Sequence, residues 1–81
     1  MKIRIESTSR WDALALTRRL GRYRWYLVEP DEKHWDVYVE LDDEQPELLD
    51  DLRDRIDRWL AERRLDVVTI HAGESDLTLS R

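Results

Sequence analysis

The sequence predicts an α+β fold: a two-layer sandwich with two helices covering one face of an antiparallel sheet. Three observations predict it. Apolar residues alternate with period two in five short segments and recur at 3.6-residue spacing in two others. These segments run strand, helix, strand, strand, helix, strand, with a further strand at the end. Gly, Pro and charged clusters separate them at short intervals. Eighty-one residues leave room for one domain, 1–81, with no second core.

The first strand is read from "MKIRIE", where Ile3 and Ile5 share one face and Lys2, Arg4 and Glu6 the other. "STSRWD" then supplies a helix start, with Ser9 as N-cap and Asp12 three residues on. Ala13, Leu16, Thr17 and Leu20 form that helix's inner side, and Gly21 ends it as a residue able to take a left-handed conformation. Trp11, Leu14 and Ala15 fall on the opposite side, where a flanking helix should be polar.

In "RYRWYLVEP" (22–30), Tyr23, Trp25 and Leu27 alternate with Arg22, Arg24, Tyr26 and Val28, and Pro30 with "DEK" breaks the strand. Trp25 is expected in the core. "HWDVYVEL" (34–41) turns Trp35, Val37, Val39 and Leu41 inward. A hairpin register pairing Trp25 with Val37 sets Arg22 opposite Glu40, Tyr26 opposite Asp36 and Glu29 opposite Lys33. A register shifted by two keeps the same faces and is its rival.

The second helix lies in "DDEQPELLDDLRDRIDRWLAERR" (42–64), opening on Pro46 and an acidic first turn. Leu49, Leu52, Ile56, Trp59 and Leu60 are its apolar stripe, with Asp51–Arg55 and Asp54–Arg58 as i,i+4 pairs. "VVTIHA" (67–72) is the fourth strand. A two-residue Gly73-Glu74 turn, of the II′ kind that wants Gly first, returns the chain as a fifth. That turn aligns Ile70 with Leu77 and Val68 with Leu79 inside, and His71 with Asp76 outside. The resulting βαββαβ order is that of a ferredoxin-like sandwich, with usual strand order 4-1-3-2 and the appended C-terminal fifth strand beside strand 4.

Composition narrows the function. Apolar and charged residues each make up 41% of the chain, implying a compact core beneath a heavily charged surface. With no Cys, disulfides, thiolate metal sites and cysteine nucleophiles are excluded. No apolar run approaches the roughly 20 residues of a membrane span, and "MKIRIES" alternates where a signal peptide would be apolar. The expected location is cytoplasmic, with no membrane partner. A net charge of −5 disfavours nonspecific attraction to nucleic acid.

The fold leaves one sheet face uncovered, and the candidate interface or ligand face is Arg4, Arg24, Tyr26, Val28, Tyr38, Val67 and His71. RNA-recognition domains stack bases on aromatics of the two central strands of such a face. Here those strands offer only Tyr38, flanked by Asp36 and Glu40, so nucleic acid is not the expected partner. His34 and His71 lie on strands separated by the first, about 9.5 Å apart, too far for one metal ion. No catalytic residue, metal or cofactor is expected, and no phosphate loop, dinucleotide fingerprint or nucleophile elbow occurs.

The leading expectation is a small non-enzymatic protein-interaction module, a homodimer through its open sheet face or a binder of another protein. Trp11 and Leu14 form a secondary interface candidate. In its βαββαβ order the chain resembles amino-acid-sensing ACT domains, which implies a small-ligand regulatory role as the alternative. The glycine usual at their turn after the first strand has no counterpart in "ESTSRW". A weak RNA binder is the third reading.

Overall fold

A computed structural model describes residues 1–42, 47–73 and 75–80, with the side chains of 75–77 and 80 outside the description. The elements are β1 (Lys2–Ser7), α1 (Arg10–Leu20), β2 (Arg24–Asp31), β3 (His34–Glu40), α2 (Glu47–Arg63), β4 (Val67–Ala72) and β5 (Ser75–Ser80). Every strand pairing is antiparallel, in the order β2-β3-β1-β4-β5. Read from the other edge, this is the expected order, with the last strand outside β4.

β1 is central because both its edges find partners: Ile5 lies beside Val37 of β3 and Ile70 of β4. The inward side chains of these three strands are buried together with Ala13, Leu16 and Leu20 of α1 and Leu52, Ile56, Trp59 and Leu60 of α2. Both helices therefore cover the same face. Each large aliphatic side chain so buried contributes about 1.5–3 kcal/mol.

Local chemistry sets the helix ends. Ser9 is extended (φ −134°, ψ 130°), and its Oγ accepts from the Asp12 N–H at 3.4 Å. Gly21 takes φ 57°, as expected, but its ψ of −115° lies outside the left-handed helical well, in a region open to glycine. α2 ends without a glycine. The Leu65 N–H donates to Leu60 O and the Arg64 N–H to Ala61 O, a Schellman motif that holds Arg64 at φ 57°. Half-buried Leu65 packs on the core beyond it.

The helices are tied to each other by polar contacts. Trp59 Nε1 donates to Asp12 O at 2.7 Å, and Arg63 Nε to Asp12 Oδ1 at 2.6 Å. At the other end, the Tyr23 hydroxyl donates to Asp51, and Arg55 reaches both Asp51 Oδ2 (2.8 Å) and Arg19 O (2.7 Å). The Asp54–Arg58 pair also forms, at 3.2 Å.

Four expectations need correction. The β2–β3 register is the rival one: Trp25 pairs with Val39, Arg24 with Glu40, Tyr26 with Tyr38 and Val28 with Asp36. Asp31 decides it. Its carboxylate accepts from the Lys33 N–H (2.7 Å) and contacts His34 Nδ1 (2.7 Å), closing a two-residue Glu32-Lys33 turn on an Asp31–His34 pair. Lys33 is thus in the turn and not opposite Glu29. The strand does not break at Pro30 but continues to Asp31, with the irregularity between Val28 and Asp31 absorbing the proline.

Trp25 is not core: it is 40% exposed, because β2 is an edge strand and α1 does not cover its outer margin. Leu49 is also exposed, at the first turns of α2, where half-buried Leu48 packs on the core instead. Pro46 and Glu74 lie outside the described residues, although Gly73 has the positive φ (63°) its turn requires. Among the described residues, no helix is long and apolar enough to cross a membrane.

Candidate functional site

The sheet face away from the helices is built from rungs that run across the strands. One carries Arg24, Glu40 and Lys2; the next Tyr26, Tyr38, Arg4 and His71; a third Val28, Asp36 and Glu6. The corrected register places Tyr26 and Tyr38 side by side, and their rings stack with centroids 4.9 Å apart and planes within 6°. Such a pair contributes about 0.5–1.5 kcal/mol beyond its burial.

Lys2 Nζ lies 5.3 Å from the Tyr26 ring centroid and 5.2 Å from that of Tyr38. The Tyr26 hydroxyl beside it, helped by Glu40, raises the pKa of this ammonium above its ordinary value. Arg4 sits 3.9 Å from Asp36, which is buried despite facing outward. His71 Nε2 lies 3.2 Å from Glu6 Oε1. In register His71 is opposite Asp76, as expected, but the described contact is to Glu6. The face therefore alternates charges that neutralise one another around an aromatic pair.

Of the predicted face residues, Arg4, Arg24, Tyr26, Val28, Tyr38 and His71 are brought together on adjacent rungs. Val67 is not. It lies four residues along β4 from His71, exposed at 55%, at the far end of the sheet. Lys2 is the contributor that spacing passed over. Its alternation with Ile3 put it on this face, but only the true register puts two rings within its reach.

Trp11 and Leu14 sit elsewhere. They line a shallow groove of about 440 Å³ between the outer sides of α1 and α2, with Arg18, Arg19, Glu62 and Arg63. Trp11 is 69% exposed and lies under the Arg10 guanidinium, 6.0 Å from its ring centroid. Ala15, from the same strip, packs against the core. A separate cavity of about 280 Å³ opens between α2 and the β4–β5 margin, lined mainly by Leu49, Leu52, Ile56, Ile70 and Leu79.

His34 is occupied by Asp31 at the hairpin turn, and β1 separates its strand from that of His71. Among the described residues, no group of three or more His, Asp or Glu is placed to hold a metal ion. No family model, curated protein or solved structure matches this chain.

Proposed function

We propose that this domain is a small non-enzymatic interaction module, a ferredoxin-like sandwich that self-associates through the Tyr26–Tyr38 side of its open sheet face. The observation that carries the reading is the stacked tyrosine pair under Lys2, on a face whose charges are mutually neutralising. Aromatics of this kind anchor interfaces, and a near-neutral mixed face can meet its own copy where a single-sign face would repel it. The two rings spend one face each on one another, so they make a poor platform for successive bases, which disfavours the RNA reading.

Sedimentation equilibrium from about 5 to 200 µM spans the range of a dimer with Kd about 1–50 µM. The expected result is a concentration-dependent dimer. Tyr26→Glu combined with Tyr38→Glu shifts it to monomer, and Trp11→Glu leaves it intact. The reverse pattern would move the interface to the α1–α2 groove. A monomer throughout would refute the reading.

The apolar cavity beside α2 favours a second reading, a regulatory domain for a small apolar ligand like that of the ACT architecture. A thermal-shift screen of apolar amino acids tests it. A ligand at a hundred times its Kd stabilises by about 2.7 kcal/mol, and no shift with any of them would leave the cavity structural.

A further inference from the structure

We propose that the self-association is edge to edge. A second copy of this chain lays its β2 antiparallel beside β2, about a two-fold axis near Tyr26, and the two sheets join into one. This rests on the self-association proposed above and places its contact at the β2 edge beside the Tyr26–Tyr38 pair, not across the sheet face itself.

β2 is the last strand of the sheet, and among the described residues it pairs with β3 alone. An unpaired edge offers a row of backbone donors and acceptors to another strand. Proteins commonly blunt such edges with proline, bulges or charge. Here Pro30 and the bulge lie at the far end, leaving residues 24–28 regular, with Trp25, Tyr26 and Val28 all at least 38% exposed.

The charge along this strand selects the partner and its direction. Arg22 precedes it and Arg24 opens it, while Glu29 and Asp31 close it and Glu32 follows in the turn. Antiparallel pairing of two copies sets the basic end of each beside the acidic end of the other. Parallel pairing would align like with like. The two-fold axis makes each favourable contact twice.

Centring the axis on Tyr26 uses the whole regular run before the bulge. It places Trp25 of one copy opposite Leu27 of the other, on the helix side of the sheet. That contact covers the indole which the chain's own helices leave open. On the other side the two Tyr26 rings meet, each already stacked on Tyr38.

The chain has no cysteine, so a single introduced one reports on the interface cleanly. Tyr26→Cys is expected to form a disulfide dimer under mild oxidation. Tyr38→Cys is not, because its two copies would lie about three strand spacings apart, roughly 14 Å, and disulfides need Cα separations under about 7 Å. An independent arm uses charge. In this register Arg24 lies opposite Val28 of the other copy, on the same face. Val28→Arg alone and the Arg24→Glu/Val28→Glu double variant should therefore each weaken the dimer by about three- to tenfold, and an equimolar mixture should restore it, since both 24–28 contacts are complementary in the mixed pair. A wild-type dimer in which Tyr38→Cys cross-links and Tyr26→Cys does not would overturn the edge pairing and leave the self-association standing. So would a mixture no tighter than either variant alone. A wild-type chain monomeric at every concentration would overturn both.

Discussion

Trp59→Phe tests whether one side chain locks the helical layer. Trp59 is 1% exposed, between α1 and the core, and its indole N–H donates to the Asp12 carbonyl at 2.7 Å. Phenylalanine keeps an aromatic ring there but loses that hydrogen bond, a net cost of about 0.5–1.5 kcal/mol. The smaller ring leaves a void of about 40 Å³, which adds about 1 kcal/mol at about 24 cal/mol per Å³. Lost apolar transfer contributes roughly another 0.5 kcal/mol. The expected destabilisation is therefore about 2–3 kcal/mol, out of a total of roughly 4–12 for a chain this size. In melting temperature that is a fall of about 10–20 °C. Urea unfolding followed by circular dichroism measures it, with an unchanged m-value as the sign that the fold is kept. Trp11→Phe is the internal control: at 69% exposure it should stay within about 0.5 kcal/mol of wild type. Equal losses for the two variants, or a Trp59→Phe loss below about 0.5 kcal/mol, would refute the reasoning.

Two further outcomes are expected. Gly73→Val should cost about 1–3 kcal/mol in denaturant titrations, because φ 63° strains any branched residue although nothing lies within 4 Å of the new Cβ. A neutral substitution would mean that the turn relaxes freely. Tyr23 has its pKa pushed up to about 12, by burial first and then by its hydrogen bond to Asp51. Its contribution to stability is therefore fully present below about pH 10 and is lost as pH rises through about 12. The Asp51 carboxyl is held below its ordinary value of 3.8 by Tyr23 first and Arg55 second, so its contribution is present above that value and lost at lower pH. The stability difference between wild type and Tyr23→Phe should thus be largest near neutrality and shrink at both ends. A pH-independent difference in melting temperature would refute it.

The element order, the core faces of β1, β3 and β4, the Ser9 cap and the last hairpin were legible in the sequence. Each depends on chemistry within a few residues: alternation in "KIRIE", a hydroxyl before a helical run, a glycine at a two-residue turn. The β4–β5 register followed because that turn permits one alignment. Between β2 and β3 parity allowed two registers, and two opposite-charge pairs favoured the wrong one. Charge pairs at an exposed edge are worth a few tenths of a kcal/mol, less than the hydrogen bonds from Lys33 and His34 that Asp31 gathers at the turn. That shift of two residues decided the site, since only the actual register stacks Tyr26 on Tyr38 and brings Lys2 over both. Periodicity likewise put Trp25 and Leu49 on inner faces; Trp25 is on the helix side of its strand by parity, and Leu49 borders the cavity between α2 and the sheet. Whether an inner face is covered depends on how far the helices extend over the sheet, and that depends on side chains distant in sequence: Trp59 meeting Asp12, and Arg55 meeting Arg19. Local pattern determines which way a side chain points; only the packing of the two layers determines what it meets there.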